Sequence, residues 1–230
     1  MKRYLITGAS RGIGRAIAEK LAAEDVTLLL HGRDTVALGE VCKAVKPRCG
    51  GVVRLIHDLA IKAGVSDLIA AVGSDPLDLL VNNAGIAIVK PFGEITPVEW
   101  EQTLGVNVTA SFLLTQRFAP TMPPGASIVN ILSIAAKTGF PNWSAYCMSK
   151  FALEGFSQSV RQELREHEIR VINIYPAATN TEIWNHVEGD WPRNKMISAE
   201  QVASAVVYAL SQPADVTVEN ITLSSAAGNL

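Results

Sequence analysis

Short apolar runs alternate with longer segments of helical periodicity along the chain. Runs such as Val26–His31 and Ser127–Leu132 are almost continuously apolar, which is typical of strands buried on both faces of a parallel sheet. The predicted strands are Lys2–Thr7, Val26–His31, Gly51–Ile56, Leu77–Val81, Ser127–Leu132, Ile169–Tyr175 and Asn220–Leu223. In the longer segments apolar residues recur every turn, as at Ile13, Ile17 and Leu21. The predicted helices are Ile13–Ala23, Val98–Ala119, Ser144–His167 and Ala199–Leu210.

This alternation predicts the fold class. It is typical of an α/β protein whose doubly wound parallel sheet has right-handed crossovers and helices on both faces. The chain has 230 residues and no linker or low-complexity stretch, so we expect one domain, residues 1–230. Ligands bind such sheets beyond the carboxyl ends of the strands. The loops that follow the strands are therefore the places to look for chemistry.

Composition excludes several classes of function. The chain is 48% hydrophobic and 18% charged, which is too apolar for a disordered protein. No uninterrupted apolar run approaches the length of a membrane span. A formal net charge of -2 provides no basic surface for nucleic acid or acidic membranes. We therefore expect no nucleic acid and no membrane among its partners.

The N-terminus and the cysteines bear on location. Met1-Lys2-Arg3 runs directly into the first strand, which leaves no room for an export signal. Cys42, Cys49 and Cys147 are an odd number of cysteines without metal-ligand pairing. These features predict a reduced, cytoplasmic protein without a metal site.

A glycine-rich turn, Thr7–Gly14, joins the first strand to the first helix. Glycine permits a tight turn, lets the backbone approach a pyrophosphate, and aims a helix N-terminus at the anion. An ordinary glycine-rich turn is the alternative, but the position between a strand and a helix favours a dinucleotide site. Its predicted residues are Gly8, Ser10, Arg11, Gly12, Ile13 and Gly14.

The end of the second strand bears on which dinucleotide is bound. Arg33 suits a 2′-phosphate through its charge and its two-pronged donor geometry, and Arg11 offers a second cation. Asp34, one residue later, would instead accept hydrogen bonds from the ribose hydroxyls of NAD. The sequence favours NADP and leaves NAD open.

Two further loops carry candidate nucleotide contacts. Asp58, followed by Leu59, could accept from the adenine amino group or could cap the next helix, and the two roles are compatible. Asn82, Ala84 and Gly85 follow the fourth strand. Small residues there let a nucleotide lie against the backbone, while asparagine amides brace neighbouring loops. A purely structural Asn82 is the alternative.

Tyr146 and Lys150 lie four residues apart and therefore share one face of a helix. A cation beside a phenol favours the phenolate, so we expect Lys150 to lower the pKa of Tyr146. Such a tyrosine can donate or accept a proton near neutral pH. Ser133, at the end of an apolar run, completes a candidate catalytic group.

Taken in order along the chain, these motifs resemble those of the short-chain dehydrogenase/reductase family. The residues that carry the resemblance are Thr7 to Gly14, Asn82 to Gly85, Asn107, Ser133, Tyr146 and Lys150. The resemblance covers nearly the whole chain and implies a single-domain Rossmann-like fold of about seven strands. It also implies a nicotinamide cofactor and a homotetramer or homodimer that forms through the helices Val98–Ala119 and Ser144–His167.

The resemblance also implies roles for single residues. Tyr146 would give its proton to the carbonyl oxygen, or take it back during oxidation, while Ser133 would hydrogen-bond the same oxygen. Lys150 would lower the tyrosine pKa and hold the ribose hydroxyls of the nicotinamide. Asn107 would kink its helix and hold a water that relays protons to the lysine.

One departure from the family lies after the sixth strand. Relatives usually carry Pro-Gly there, whereas this chain has Pro176-Ala177. Alanine does not adopt positive φ cheaply, so the path of this loop over the nicotinamide is in question. Pro176, Thr179 and Thr181 remain expected cofactor contacts.

Three segments are expected to wall the substrate site: Ile86–Phe92, Ile134–Trp143 and Ala178–Ile197, the last being a short lid. Phe140, Trp143, Trp184 and Trp191 suit a hydrophobic or aromatic carbonyl compound. Contact between subunits, or packing of the loop itself, is the alternative use of these aromatic residues.

The leading hypothesis is an NADP(H)-dependent oxidoreductase that interconverts a ketone or aldehyde with an alcohol. A reductase of 3-oxoacyl groups on a carrier protein is the alternative enzyme, but it would need a basic landing surface that this composition does not indicate. A non-catalytic NADP(H) sensor is the alternative of another class. A sensor would not need the catalytic set, which this chain keeps.

Overall fold

A computed structural model describes residues 1–213 and 215–228, except for the side chain of His186. Its main sheet has seven parallel strands. These are β1 (Lys2–Ile6), β2 (Val26–Gly32), β3 (Gly51–Ile56), β4 (Leu79–Asn82), β5 (Ser127–Ile131), β6 (Arg170–Pro176) and β9 (Asn220–Leu223). Two short strands, β7 (Thr179–Asn180) and β8 (Ile197–Ser198), pair separately.

The strand order is β3-β2-β1-β4-β5-β6-β9. The chain moves outward from β1 to β3 and then returns to the other side of β1, where Tyr4 pairs with Leu79. This reversal is the topological switch point at which α/β sheets open a crevice for ligands. The predicted doubly wound parallel sheet is confirmed.

Helices cover both faces of the sheet. They are α1 (Gly12–Leu21), α2 (Thr35–Val45), α3 (Lys62–Val72), α4 (Pro97–Leu104), α5 (Ala110–Phe118), α6 (Ser144–Leu164) and α7 (Ala199–Leu210). Side chains alternate across the sheet, so neighbouring residues of β1 serve different cores. Leu5 lies in one core with Leu68 of α3 and Leu114 of α5. Ile6 lies in the other with Ile17 of α1 and Val202 of α7.

The predicted long helix Val98–Ala119 is interrupted in the structure. Thr96 and Glu99 form a reciprocal capping box, so α4 begins at Pro97, one residue earlier than predicted. A π-helical turn, Gly105–Thr109, separates α4 from α5. Helical periodicity did not delimit this turn because every residue in it remains helical.

Smaller differences occur at the ends of strands. Strand β4 begins at Leu79 rather than at Leu77. Leu77 is fully buried but precedes the ladder, and burial of an apolar side chain does not require strand pairing. The helices α2 and α3 were left without bounds by the sequence pattern. In the described part of the chain, no helix is long and apolar enough to cross a membrane.

Candidate functional site

A cleft of about 1010 Å³ opens beyond the carboxyl ends of the main-sheet strands. It brings together residues from distant parts of the chain, as expected at a topological switch point. The predicted site residues that line it are Gly8, Ser10, Arg11, Gly12, Ile13, Arg33, Asp58, Leu59, Ala84, Gly85, Ser133, Tyr146, Lys150, Pro176, Thr179 and Thr181. Three others, Gly14, Asn82 and Asn107, lie outside the lining.

The glycine-rich turn has the geometry of an anion site. Gly8 and Gly12 have φ angles of 65° and 54°, which favour glycine. A β-carbon on Gly14 would lie 2.3 Å from the carbonyl oxygen of Gly8, so a glycine at this position permits close packing of the turn on α1. The Nδ2 of Asn83 donates to the carbonyls of Thr7 and Gly8 at 2.8 and 3.1 Å and braces the turn.

At the other side of the turn, Arg33 and Asp34 have different tasks. Oδ1 of Asp34 accepts from the backbone N–H groups of Val36 and Ala37 at 3.1 and 2.9 Å, so this carboxylate caps α2. The Arg33 side chain is 57% exposed at the cleft, with Nη1 3.8 Å from Oδ1 of Asp58. The cap holds Asp34 in place, while the guanidinium of Arg33 is exposed at the cleft.

Asp58 does not cap a helix, which corrects one of its two predicted roles. Its Oδ1 accepts from the N–H of Ala60 at 3.0 Å, within the loop that precedes α3. The N-cap of α3 is Ile61. The carboxylate stabilises a local turn instead, and a contact to adenine stays a prediction.

Sequence reasoning missed His31, which is buried at the end of β2 and lines the cleft. Its Nε2 lies 3.0 Å from the carbonyl oxygen of His57, and its Nδ1 accepts from the N–H of Gly8 at 3.4 Å. Burial lowers the pKa of His31 to about 4, so the ring is neutral at pH 7. Its position at the end of an apolar strand was the available signal.

Ser133, Tyr146 and Lys150 converge at the opposite end of the cleft. Nζ of Lys150 donates to the carbonyl oxygen of Ile131 at 2.8 Å and lies 5.6 Å from the centre of the Tyr146 ring. Burial lowers the pKa of Lys150 to about 8. The lysine is therefore held between the end of β5 and the tyrosine.

The expected lowering of the tyrosine pKa is wrong for the protein without nucleotide. Burial raises the pKa of Tyr146 to about 12, and a hydrogen bond with Ser133 opposes this rise only in part. The reason is that transfer of the phenolate out of water costs more free energy than the hydrogen bond with Ser133 restores. The phenol is protonated at neutral pH, which is the form that donates a proton.

Asn107 lies in the π-helical turn and braces the loop after β4. Its Oδ1 accepts from the N–H of Ile86 at 2.9 Å, and its Nδ2 donates to the carbonyl of Ile86 and to Oγ of Ser149 at 2.9 and 3.0 Å. Its side chain thereby connects that loop to α6, the helix that carries Tyr146 and Lys150. A relay through water stays a prediction.

Asn82 lies outside the cleft lining and has the bracing role that was the alternative to a nucleotide contact. It is buried, and its Nδ2 donates to Oδ1 of Asn130 at 2.9 Å and to Oγ1 of Thr115 at 3.2 Å. The Nδ2 of Asn130 continues the chain of hydrogen bonds to Ser157 and Asn173. This network connects β4, β5, β6 and α6 behind the site.

The loop after β6 takes an ordinary path despite its missing glycine. Among the described residues only Asn142 and Glu168 have positive φ without being glycine, so Ala177 is unstrained. Its N–H donates to the carbonyl of Leu223 at 2.8 Å. Farther along this loop, the Thr181 side chain packs over the glycine-rich turn, with its Cγ2 3.1 Å from the position of a β-carbon on Gly12.

Three tryptophans meet beside Tyr146. The ring centre of Trp143 lies 5.5 Å from Tyr146, 5.7 Å from Trp184 and 6.3 Å from Trp191. Trp184 and Trp191 are 4.9 Å apart. Sequence reasoning placed these residues on the substrate walls but did not show that they converge, because they are far apart in the chain.

Comparison with known proteins agrees with this geometry. A family model described as short chain dehydrogenase matches residues 2–191. An uncharacterized oxidoreductase of Staphylococcus saprophyticus is 32% identical over 227 residues, covering 96% of each chain. The 3-oxoacyl-acyl-carrier-protein reductase of Aquifex aeolicus is 33% identical over 226 residues, covering 92% of this chain and 90% of its own.

Solved structures extend the likeness to three dimensions. The short-chain dehydrogenase of Sphingobium yanoikuyae in complex with NADPH is 30% identical, with a TM-score of 0.82 over 90% of this chain and 84% of that one. A landomycin C-6 ketoreductase with bound NADP and rabelomycin is 29% identical, with a TM-score of 0.83 over 96% and 94%. From its sequence match, its parallel sheet and its Ser133, Tyr146 and Lys150 cluster, the chain belongs to the short-chain dehydrogenase family of oxidoreductases.

Proposed function

We propose that the protein is an NADP(H)-dependent oxidoreductase that interconverts a ketone or aldehyde with an alcohol. The observation that carries the proposal is one continuous cleft with a cation, Arg33, at its nucleotide end and the Ser133, Tyr146 and Lys150 cluster at the other. NADP and NADPH in the two structural neighbours support the choice of cofactor.

The chain's own residues fit a dinucleotide phosphate. The positive φ of Gly8 and Gly12 opens the turn before α1, where the helix N-terminus favours an anion. Because Asp34 caps α2, Arg33 is the cation that this end of the cleft offers to the 2′-phosphate, the group that distinguishes NADP from NAD. Lys150 has further donors on Nζ beyond the one that holds Ile131, and these can reach ribose hydroxyls.

When bound, the nicotinamide supplies or accepts the hydride. The proton is the task of Tyr146, whose phenol gives it to the carbonyl oxygen during reduction and takes it from the alcohol during oxidation. Ser133 donates a hydrogen bond to the same oxygen and stabilises the charge that develops there. Lys150 in its charged form would stabilise the phenolate left on Tyr146.

Replacement of Tyr146 by phenylalanine tests this assignment. Tyr146→Phe removes the transferable proton and little volume, so we expect NADPH-dependent carbonyl reduction to fall at least about 100-fold. Tryptophan fluorescence quenching should show NADPH binding within about threefold of the parent protein. Tyr208→Phe, which removes an exposed hydroxyl on α7, is the matched control. Full activity of Tyr146→Phe would exclude the mechanism.

A reductase of carrier-bound 3-oxoacyl groups is a second candidate because the Aquifex aeolicus relative has that activity. A short 3-oxoacyl thioester and a free ketone, each offered with NADPH, separate the two. A thousandfold preference for the thioester would favour the second candidate. NADPH binding without turnover of any carbonyl compound would favour a sensor.

A further inference from the structure

We infer that the substrate is a neutral ketone that carries a flat aromatic ring fused to at least one more ring. The inference rests on the proposed carbonyl chemistry and concerns the wall that faces Tyr146. That wall comes from two sides: Trp143 directly precedes α6, and Trp184 and Trp191 belong to the lid segment, Ala178–Ile197. All three tryptophans line the cleft.

The indole N–H groups of the lid tryptophans are already used. Nε1 of Trp184 donates to the carbonyl of Thr179 at 2.8 Å, and Nε1 of Trp191 donates to the carbonyl of Glu188 at 3.1 Å. These bonds fix both rings, which pack on each other and still line the cleft. Flat aromatic rings are the partners that such faces favour, through stacked and edge-on contacts.

The lid is built to place Trp191. Gly189 has a φ of 122°, and a β-carbon on it would lie 3.1 Å from Nε1 of Trp191. A side chain at this position would be both strained and in the way of the indole. Gly189 therefore allows a tight turn at which the Trp191 ring folds back on the backbone beside Trp184.

Charge is absent from this wall. Among the described residues that line the cleft, the charged ones are Arg11, Arg33, Asp34, Asp58, Lys150 and Glu182. The first four belong to the nucleotide end. Oε2 of Glu182 also lies near that end, 3.7 Å from the position of a β-carbon on Gly12 in the glycine-rich turn. Lys150 is held behind Tyr146. A carboxylate or phosphate on the substrate would find no counter-charge among the tryptophans.

Ring number follows from the shape of the wall. Each indole is itself two fused rings, and Trp143, Trp184 and Trp191 stand at 50° to 82° to one another. A single ring would touch only part of this surface. Two or more fused rings can stack on one indole while their edges meet another.

A matched pair of ketones tests the inference. 2-Tetralone and 2-decalone share one carbon skeleton and an unconjugated carbonyl, but only the first has an aromatic ring. Calorimetry with the NADP⁺-loaded protein, in which no reduction occurs, should give at least about fivefold tighter binding of 2-tetralone. Equal binding, or tighter binding of 2-decalone, overturns the inference.

Turnover with NADPH is measured separately and tests the proposed function. Selective binding of 2-tetralone without its reduction counts against the proposed function and leaves the ring preference standing. Reduction of both ketones with equal kcat/KM keeps the proposed function and overturns the inference.

Variants assign the preference to the wall. In Trp184→Leu, the affinities for the two ketones should differ by no more than about twofold. Trp184→Phe keeps an aromatic face but lacks the N–H, so it should retain most of the preference for 2-tetralone. Trp143→Leu, on the opposite side from the lid, should also reduce it. NADPH binding checks that each variant is folded, and Trp100→Leu, outside the cleft lining, is the control. An unchanged preference in both leucine variants overturns the inference.

Discussion

Two adjacent residues just after β2 show how the capping of a helix can separate two interpretations. From the sequence, Arg33 and Asp34 were competing contacts for the ribose of the cofactor. The structure gives Asp34 two backbone N–H groups of α2, and this leaves Arg33 at the mouth of the cleft. The cap fixes the orientation of the Asp34 carboxylate through Oδ1.

Arg33→Ala tests this division of tasks. Removal of one charge-assisted contact to a 2′-phosphate should weaken NADPH binding by ~1–3 kcal/mol while it leaves NADH within about twofold. Fluorescence titration with both nucleotides measures the two constants. Arg48→Ala, in the turn after α2, is an exposed control. Equal losses for both nucleotides would mean that the 2′-phosphate lies elsewhere.

Residues of the site differ in how far the sequence could predict them. Tyr146 and Lys150 were predicted because helical spacing places them on one face, and the glycines because the turn needs them. The environment of those side chains was not predictable, since burial raises the pKa of Tyr146 and lowers that of Lys150. Burial depends on residues from β5 and the lid, which are remote in the chain.

At the scale of elements, one arginine holds together several parts of the lid segment, Ala178–Ile197. The guanidinium of Arg193 donates to Oδ1 of Asn180 at 2.7 Å, to Oδ1 of Asn185 at 3.2 Å and to the carbonyl of Thr181 at 2.8 Å. These bonds join the later part of the lid to its beginning, where the side chain of Thr181 packs over the glycine-rich turn.

Arg193→Gln should loosen this connection. Loss of the guanidinium bonds costs the closed lid about 1–2 kcal/mol, so we expect NADPH to dissociate roughly tenfold faster in stopped-flow measurements. The lid should also be cleaved faster in limited proteolysis. Lys195→Gln, in the same turn of helix, serves as the comparison. An unchanged dissociation rate would show that the lid does not hold the cofactor.

The strands and helices were predicted where one pattern dominates. Strands such as β2 and β5 are almost continuously apolar because helices cover both faces of the sheet. This pattern can be recognised in the sequence without knowing which elements pack against the strand. The π-helical turn around Asn107 and the convergence of Trp143 with Trp184 were not predictable. Both depend on contacts between elements rather than on periodicity within one.

For the whole molecule, the buried Lys150 makes stability depend on pH. Its pKa falls from 10.5 in the unfolded chain to about 8 in the folded one. Between these values the unfolded chain binds one more proton, so stability rises with pH across this window. The cost of burying the charge is complete below pH 8 and is relieved by about pH 10.5.

Lys150→Met removes this dependence. Urea unfolding without nucleotide should show that the free energy of unfolding of the parent rises by about 3 kcal/mol, relative to the variant, between pH 7.5 and 10.5. Tyr146 titrates in both proteins and therefore cancels from the difference. A constant difference across this range would show that the lysine titrates as an ordinary exposed one.

The sheet order also dictates when in folding the site can be completed. Strand β1 is made first but lies in the centre, and β9, which is made last, pairs with β6 and anchors Ala177 through Leu223. Such distant parallel pairings form slowly, because the chain between them must be ordered first. Until β9 pairs with β6, the loop at Ala177 lacks this anchor. A nucleotide that binds only the folded molecule would draw the folding equilibrium toward it.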